Sequence, residues 1–351
     1  MAEMNLSKET EKQGVYATAG TWYGAPYSQV TKLNAPITPR ENMKRYLAGK
    51  SYLWIPDALC DQVDITPDNI PDVVACGYEG GIDSFGVEWV PLQNGLPSFV
   101  KPGDPKLKDI TDWRNLPKPD VDSWDWEGYG KLYTKTLGED RFVRGVLLSG
   151  YFERLISLMD FGNAAMALLD EPDEVSALFA HLTDYNIAIA EHYKKYFHAD
   201  GVMLHDDWAS QRSPFFSLDT VRRLIVPHMK RLVDRVHEIG LVFTHHCCGN
   251  CFDLIPASIE TGADTCQLQE NTMDIAKAIE TYGSKIVIEG YWSLPESTVE
   301  EVVKQFVTDI VKKMGSSRRG LYSFYETLPD RSFDAREYAY REARKLIEEN
   351  L

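Results

Sequence analysis

The sequence predicts an α/β fold: a (β/α)8 barrel of the TIM type with an irregular N-terminal extension. Three observations carry that prediction. From residue 142 onward, six strand-like apolar runs each end in polar residues and lead into a helical stretch. Serial strand-then-helix units imply parallel strands joined by right-handed crossovers. Gly201, Gly240, Gly262, Gly283 and Gly320 fall between a helix and the next strand, where a helix C-cap belongs. The 351 residues fit a single barrel domain over 1–351, with 1–50 as the extension and its helix. Two less regular units upstream complete a count of eight. The alternative arrangement of the same units is a doubly wound open sheet.

Along the chain, the first ~140 residues are rich in turn formers. Asn69-Ile70-Pro71-Asp72, Lys101-Pro102-Gly103-Asp104-Pro105 and Leu116-Pro117-Lys118-Pro119 are examples. Residues 39–49 read as a helix with proline at its start and glycine at its end. Residues 52–56 and 87–91 read as short strands, each stopped by proline. The regular units follow. Strand-like residues 142–149 lead into helices up to about 197, and 201–205 lead into 217–239. Next, 241–245 lead into 251–262 and 265–268 into 273–282. Last, 285–288 lead into 296–314 and 321–325 into 334–349.

Composition narrows the function. Basic residues number 37 and acidic residues 53, a net charge of −16. A nucleic-acid or anionic-membrane partner wants the opposite sign. No apolar run approaches the ~20 residues of a membrane helix. The first 20 residues carry Lys, Glu and Gln where a signal peptide has its apolar core, so a cytoplasmic location is expected. Four of the six cysteines fall between 247 and 266. In a reducing compartment such a cluster is metal-binding, catalytic or simply buried.

Barrel active sites lie at the C-terminal strand ends. Those ends present Asp206 and Asp207, His246 and Cys248, Gln269 and Glu270, Glu289, and Glu326. The strongest local signal is Thr244-His245-His246-Cys247-Cys248-Gly249-Asn250-Cys251. Strand residues two apart face the same way, so His246 and Cys248 can share one site. Imidazole with thiolate suits zinc. The competing readings are inert buried cysteines beside a packed histidine, and a Cys248-x-x-Cys251 redox pair. Against the second, the serial units extend far beyond a small redox domain.

Gly201-Val202-Met203-Leu204-His205-Asp206-Asp207-Trp208-Ala209-Ser210-Gln211 resembles a signature stretch of the uroporphyrinogen decarboxylase superfamily. Val236-His237-Glu238-Ile239-Gly240 and His246-Cys247-Cys248-Gly249-Asn250 resemble it too, and 38–41 and 83–89 are weaker matches. The resemblance runs from about residue 38 to the last helix and implies a (β/α)8 barrel. Its decarboxylase branch binds a carboxylate-rich tetrapyrrole through an arginine-bearing N-terminal segment. Here residues 14–24 contain no arginine, and a −16 chain suits a polyanion poorly.

The other branch, the corrinoid-linked methyltransferases, holds zinc with His-x-Cys and a further cysteine near the last strand. His246 and Cys248 match the first two positions. Residues 321–326 contain no cysteine, and Glu326 lies near the third position, with Glu289 and Cys251 as alternatives. A carboxylate is a harder ligand than a thiolate. That points away from a thiol acceptor such as coenzyme M and leaves open an oxygen-bound substrate. Within this branch the chain most resembles the methyltransferase component of O-demethylase systems. The resemblance then implies transfer of methyl from a phenyl methyl ether to the Co(I) corrinoid of a partner protein. Zinc or a carboxylic acid would assist the leaving phenolate, and Asp206, Asp207 and Glu289 are the candidate acids. Trp208, Trp292, Tyr322 and Tyr325 are candidate walls for the ring. A uroporphyrinogen-type decarboxylase, a methylamine or methylthiol methyltransferase, and a non-catalytic corrinoid-binding barrel are the alternatives.

Overall fold

The computed structural model describes residues 4–17, 30–92, 97–315, 319–325, 328 and 333–349. A short helix α1 (Leu6–Glu9) precedes an antiparallel pair, β1 (Lys12–Tyr16) and β2 (Val30–Leu33). Helix α2 (Pro39–Leu47) starts where Thr38 accepts from the Glu41 N–H and Pro39 fills the first turn, a position whose N–H would have no helical partner. Then come β3 (Gln62–Ile65) and a small antiparallel sheet of β4 (Gly81–Ile82), β5 (Glu88–Val90) and β6 (Phe99–Val100). Helix α3 (Trp126–Leu137) closes this region.

The regular units run as expected. Strand β7 (Phe142–Leu147) leads into α4 (Tyr151–Met159), α5 (Phe161–Asp170) and α6 (Pro172–Phe197). Strand β8 (Gly201–His205) leads into α7 (Leu218–Leu224) and α8 (Val226–Glu238); Pro227, which cannot donate a helical hydrogen bond, sits at this break in the single helix expected over 217–239. Next are β9 (Val242–Cys247) with α9 (Ile255–Thr261) and β10 (Thr265–Gln269) with α10 (Ile275–Tyr282). The last two units are β11 (Val287–Ser293) with α11 (Glu300–Met314) and β12 (Gly320–Tyr325) with α12 (Ala335–Glu349).

The main sheet has the order β12-β11-β10-β9-β8-β7-β3, parallel throughout. Strands follow one another in chain order with no reversal, which excludes the doubly wound alternative. The two edges approach each other: Asp57, just before β3, forms a parallel bridge with Tyr322 of β12, and the Ala58 N–H donates to the Tyr322 carbonyl at 2.8 Å. The curled sheet is barrel-like, as predicted, but among the described residues it has seven strands rather than eight. Residues 52–56 are not a strand. Their backbone is tied instead to side chains, with Asn42 bonded to the Leu53 N–H and Trp54 carbonyl, and Arg344 to the Leu53 carbonyl. The strand expected at 87–91 exists as β5, but it belongs to the small antiparallel sheet.

Barrel interiors are ordinarily packed with branched aliphatic side chains. This one has an ionic centre. Arg144 of β7 donates to Asp64 of β3 at 2.7 and 2.8 Å, to Glu289 of β11 at 2.7 and 3.2 Å, and to the Thr244 hydroxyl of β9 at 3.2 Å. Arg144 and Glu289 are buried. A buried charge persists only when paired and hydrogen-bonded, and this network meets both conditions. It forms the floor beneath the strand ends.

Candidate metal centre

The pairing register builds one row of side chains across four strands. His205 of β8 lies opposite His246 of β9, His246 opposite Gln267 of β10, and Gln267 opposite Glu289 of β11. The His205 and His246 rings stack, with centroids 4.3 Å apart and 20° between planes. Just past the strand ends, Asp207 and Cys248 join them. The Cys248 N–H donates to Asp207 Oδ1 at 2.6 Å, and Cys248 Sγ lies 3.1 Å from His246 Nε2. Gly249 makes this junction possible. It has φ 78°, and a Cβ there would stand 2.3 Å from the Ala209 carbonyl oxygen, so only glycine lets the two loops touch. Donor atoms of His205, Asp207, His246 and Cys248 all lie within 4.8 Å of one another. Two imidazoles, a thiol and a carboxylate are all donor types that zinc takes.

The supporting groups fix which atoms face the centre. Arginine keeps its charge, so Arg144 holds Glu289 as a carboxylate, which can only accept. Gln267 therefore turns its amide nitrogen toward Glu289 Oε1 at 2.6 Å and its oxygen toward His246 Nδ1 at 2.5 Å. Tyr291 donates to the same Glu289 oxygen at 2.5 Å. His246 thus carries its proton on Nδ1, leaving the Nε2 lone pair directed at Cys248 and Asp207. A carboxylate does the corresponding work for the other imidazole. Glu153, in the first turn of α4, lies with Oε2 2.7 Å from His205 Nδ1.

Electrostatics favour a cation here. Burial pushes His246 down to about 4 and lowers His205 as well. Burial, reinforced by the nearby Asp207 carboxylate, pushes the Cys248 thiol and the Glu153 carboxyl up. A divalent ion among these donors opposes the upward shifts, because it favours thiolate and carboxylate. Glu289 differs. Burial raises it, but Arg144 with Tyr291 and Gln267 outweighs burial and leaves it below the usual carboxylate range.

Two cavities flank the donors. One of about 690 Å³ reaches His205 and Asp207. Another of about 300 Å³ reaches His246 and Cys248 and is walled by Asp64, Gln267, Tyr291 and Tyr325.

Residues 86–320 match the family described as Uroporphyrinogen decarboxylase (URO-D), a span that includes all four donors. The chain belongs to the uroporphyrinogen decarboxylase family. A methyltransferase from Methanosarcina mazei superposes on it with a TM-score of 0.62 at 13% identity, covering 90% of this chain and 99% of that one. At that identity the likeness is one of fold. A 3-keto-D-glucoside 4-epimerase from E. coli reaches a TM-score of 0.36 at 12% identity, covering 65% of this chain and 85% of that one. No curated protein matches the sequence.

In this URO-D family member, the residues expected at the site are divided among several places. His246, Cys248 and Asp207 come together. Glu326 lies outside the described residues, as do 18–24 of the arginine-free segment 14–24. Of the other ligand candidates, Glu289 is committed to Arg144, and Cys251 is buried but is not among the clustered donors. Asp206 turns away from the centre. Its Oδ1 accepts from the Phe152 and Glu153 N–H groups at the start of α4, and its Oδ2 accepts from Trp208 Nε1 at 2.8 Å. Gly150 allows that approach, since a Cβ there would lie 2.4 Å from Asp206 Cβ.

Of the four aromatics, only Tyr325 walls a cavity beside the donors, stacked on Tyr291 at 5.6 Å. Trp208 is fully buried against His245, and Trp292 covers Gly290 beside Ile275. Tyr322 borders a separate cavity of about 100 Å³ with Asp57, Cys60 and Asp61. His205, Gln267, Glu153 and Tyr291 were not assigned roles from sequence. Only for His205 was a signal available, as the last residue of a predicted strand directly before two acids.

Proposed function

We propose that this protein is a zinc-assisted methyltransferase of the corrinoid-linked branch, moving methyl from a phenyl methyl ether to the Co(I) corrinoid of a partner protein in the cytoplasm. The observation that carries the reading is the four-donor cluster at the C-terminal strand ends, open on two sides. His205, Asp207, His246 and Cys248 would hold the ion. When bound, zinc supplies Lewis acidity at the ether oxygen.

The chain's own groups do the rest. Gln267 and Glu153 orient the two imidazoles. The Arg144 network keeps the floor beneath them rigid and closed. The partner's reduced corrinoid would supply the electron pair that takes up the methyl group. The C–O pair stays with the phenolate oxygen, which then takes a proton from solvent. Support against the decarboxylase alternative is electrostatic: Arg144, the arginine beneath the site, is already paired with Asp64 and Glu289, so it is not free for substrate carboxylates. Among the described residues no helix is long and apolar enough to cross a membrane.

The test is to mix zinc-loaded enzyme, a methoxylated phenol and reduced corrinoid protein and follow methylcobalt absorbance. Appearance of that absorbance, dependent on all three, is expected. Transfer only from methylamine or a methylated thiol would move the assignment within the branch. Decarboxylation of a tetrapyrrole acid without corrinoid would overturn it.

A further inference from the structure

The larger cavity has a chemistry of its own. It lies between the small sheet β4–β6 with its following loop and helices α4 and α5. Trp89, Phe99, Leu148, Ile156, Phe161 and Phe215 line it, and His205 and Asp207 of the donor cluster stand in its wall. About 690 Å³ falls within the roughly 300–1,000 Å³ typical of sites that bury small organic ligands. Three of its rings remain open to solvent: Phe99 is 38% exposed, Phe161 46% and Phe215 37%. A cluster of exposed aromatics at a cavity wall marks a binding surface. Two of these rings are also held in place, with Phe161 edge-on to Phe215 at 5.0 Å and to Phe152 at 6.0 Å.

The charges on this wall are already engaged. Asp160 caps α5 through the Asn163 N–H, Glu153 faces His205, and Asp207 accepts from the Cys248 N–H. Lys101, the cation among the described lining residues, reaches Glu88 at 2.8 Å. An anionic occupant would thus meet three acids and one cation already paired. Placing a carboxylate there without a partner is costly. A flat uncharged ring meets aromatic and aliphatic surface along its length and the donor cluster at one end.

We propose that this chamber is the donor site and that it selects aryl methyl ethers carrying no carboxylate, the ring lying among Trp89, Phe161 and Phe215 and the ether oxygen at His205 and Asp207. The proposal rests on the methyltransferase reading for its substrate class. The binding site can be tested without that reaction.

Calorimetric titration of the zinc-loaded protein, with no corrinoid present, should show 2-methoxyphenol binding at least 10-fold more tightly than 4-methoxybenzoate. Ile156→Trp fills the chamber and should weaken 2-methoxyphenol at least 10-fold with zinc content unchanged. Phe161→Arg, on the exposed rim, should shift preference at least 10-fold toward 4-methoxybenzoate. Unaltered 2-methoxyphenol affinity in Ile156→Trp, or wild-type preference for 4-methoxybenzoate, would overturn the proposal. Binding with these specificities but no methyl transfer to any corrinoid would sustain the chamber assignment and fail the reaction assignment instead.

Discussion

Gln267 accepts a hydrogen bond from the Nδ1–H of His246 at 2.5 Å, and the direction of that bond is imposed from behind. The Arg144–Glu289 ion pair forces the amide orientation, and the amide forces the imidazole tautomer. Partners of this kind contribute to ligand basicity and ring orientation, and their loss typically costs 10–100-fold in metal affinity. Gln267→Leu should therefore bind zinc 10–100-fold more weakly by competition with a chromophoric chelator, while its circular dichroism matches the parent. Undiminished affinity would mean that the tautomer is set elsewhere.

The ligand set makes a sharper prediction. His205, Asp207, His246 and Cys248 form a four-donor cluster among the described residues, and we propose that these four hold the zinc without a donor from the last strand. His205→Ala, Asp207→Asn and Cys248→Ser should each lose stoichiometric zinc, and cobalt substituted into the parent should show a thiolate charge-transfer band that Cys248→Ser lacks. Glu326→Gln should retain one zinc per chain. Metal loss in Glu326→Gln with full retention in Asp207→Asn would reverse the assignment.

Asp206 and Asp207 are adjacent acids with opposite duties. The Asp206 carboxylate receives two N–H groups from the start of α4 and one from Trp208. Removing a buried acceptor strands its donors at about 1–3 kcal/mol. Asp206→Ala should lower stability to urea by that order. Asp206→Asn, which keeps one acceptor oxygen, should retain most of the turnover. A variant Asp206→Asn that is as stable as the parent but inactive would make Asp206 a proton donor instead.

These cases show which parts of the molecule are readable from sequence. The strand-and-helix periodicity after residue 142 and the glycines between units suffice for the barrel, because local pattern sets the elements and chain order sets their neighbours. The same-face spacing of His246 and Cys248 is likewise local. Register is not local: His205 meets His246 only because β8 and β9 pair as they do. Nor is neutralisation, since Glu289 looks like a free acid until Arg144, 145 positions away, is seen against it. Residues 52–56 carry a strand-like pattern, yet side chains of Asn42 and Arg344 capture their backbone groups. Consecutive acids such as Asp206 and Asp207 are separated only by the helix that approaches one of them.

The seam between Asp57 and Tyr322 should make stability pH-dependent through Asp61. Asp61 is buried, and its Oδ2 accepts from Trp54 Nε1 at 2.7 Å and from the Asp57 N–H at 3.1 Å. Burial raises its carboxyl to about 7, with the nearby Asp57 adding to the rise and the Trp54 bond and Arg141 opposing it. An unfolded aspartate titrates near 3.9. Because the folded value is the higher one, the folded chain holds this proton more tightly. That contribution is complete below about pH 4 and is lost as pH rises through about 7. At about 1.4 kcal/mol per pH unit, the loss amounts to at most about 4 kcal/mol. Asp61→Asn keeps an acceptor for Trp54 but cannot ionise, so it lacks this component of the slope. Urea midpoints measured from pH 5 to pH 8 should therefore fall more steeply for the parent than for Asp61→Asn, with the variant the more stable at pH 8. Parallel curves would show that Asp61 is already ionised in the folded chain at pH 5, with Arg141 and the Trp54 bond outweighing burial.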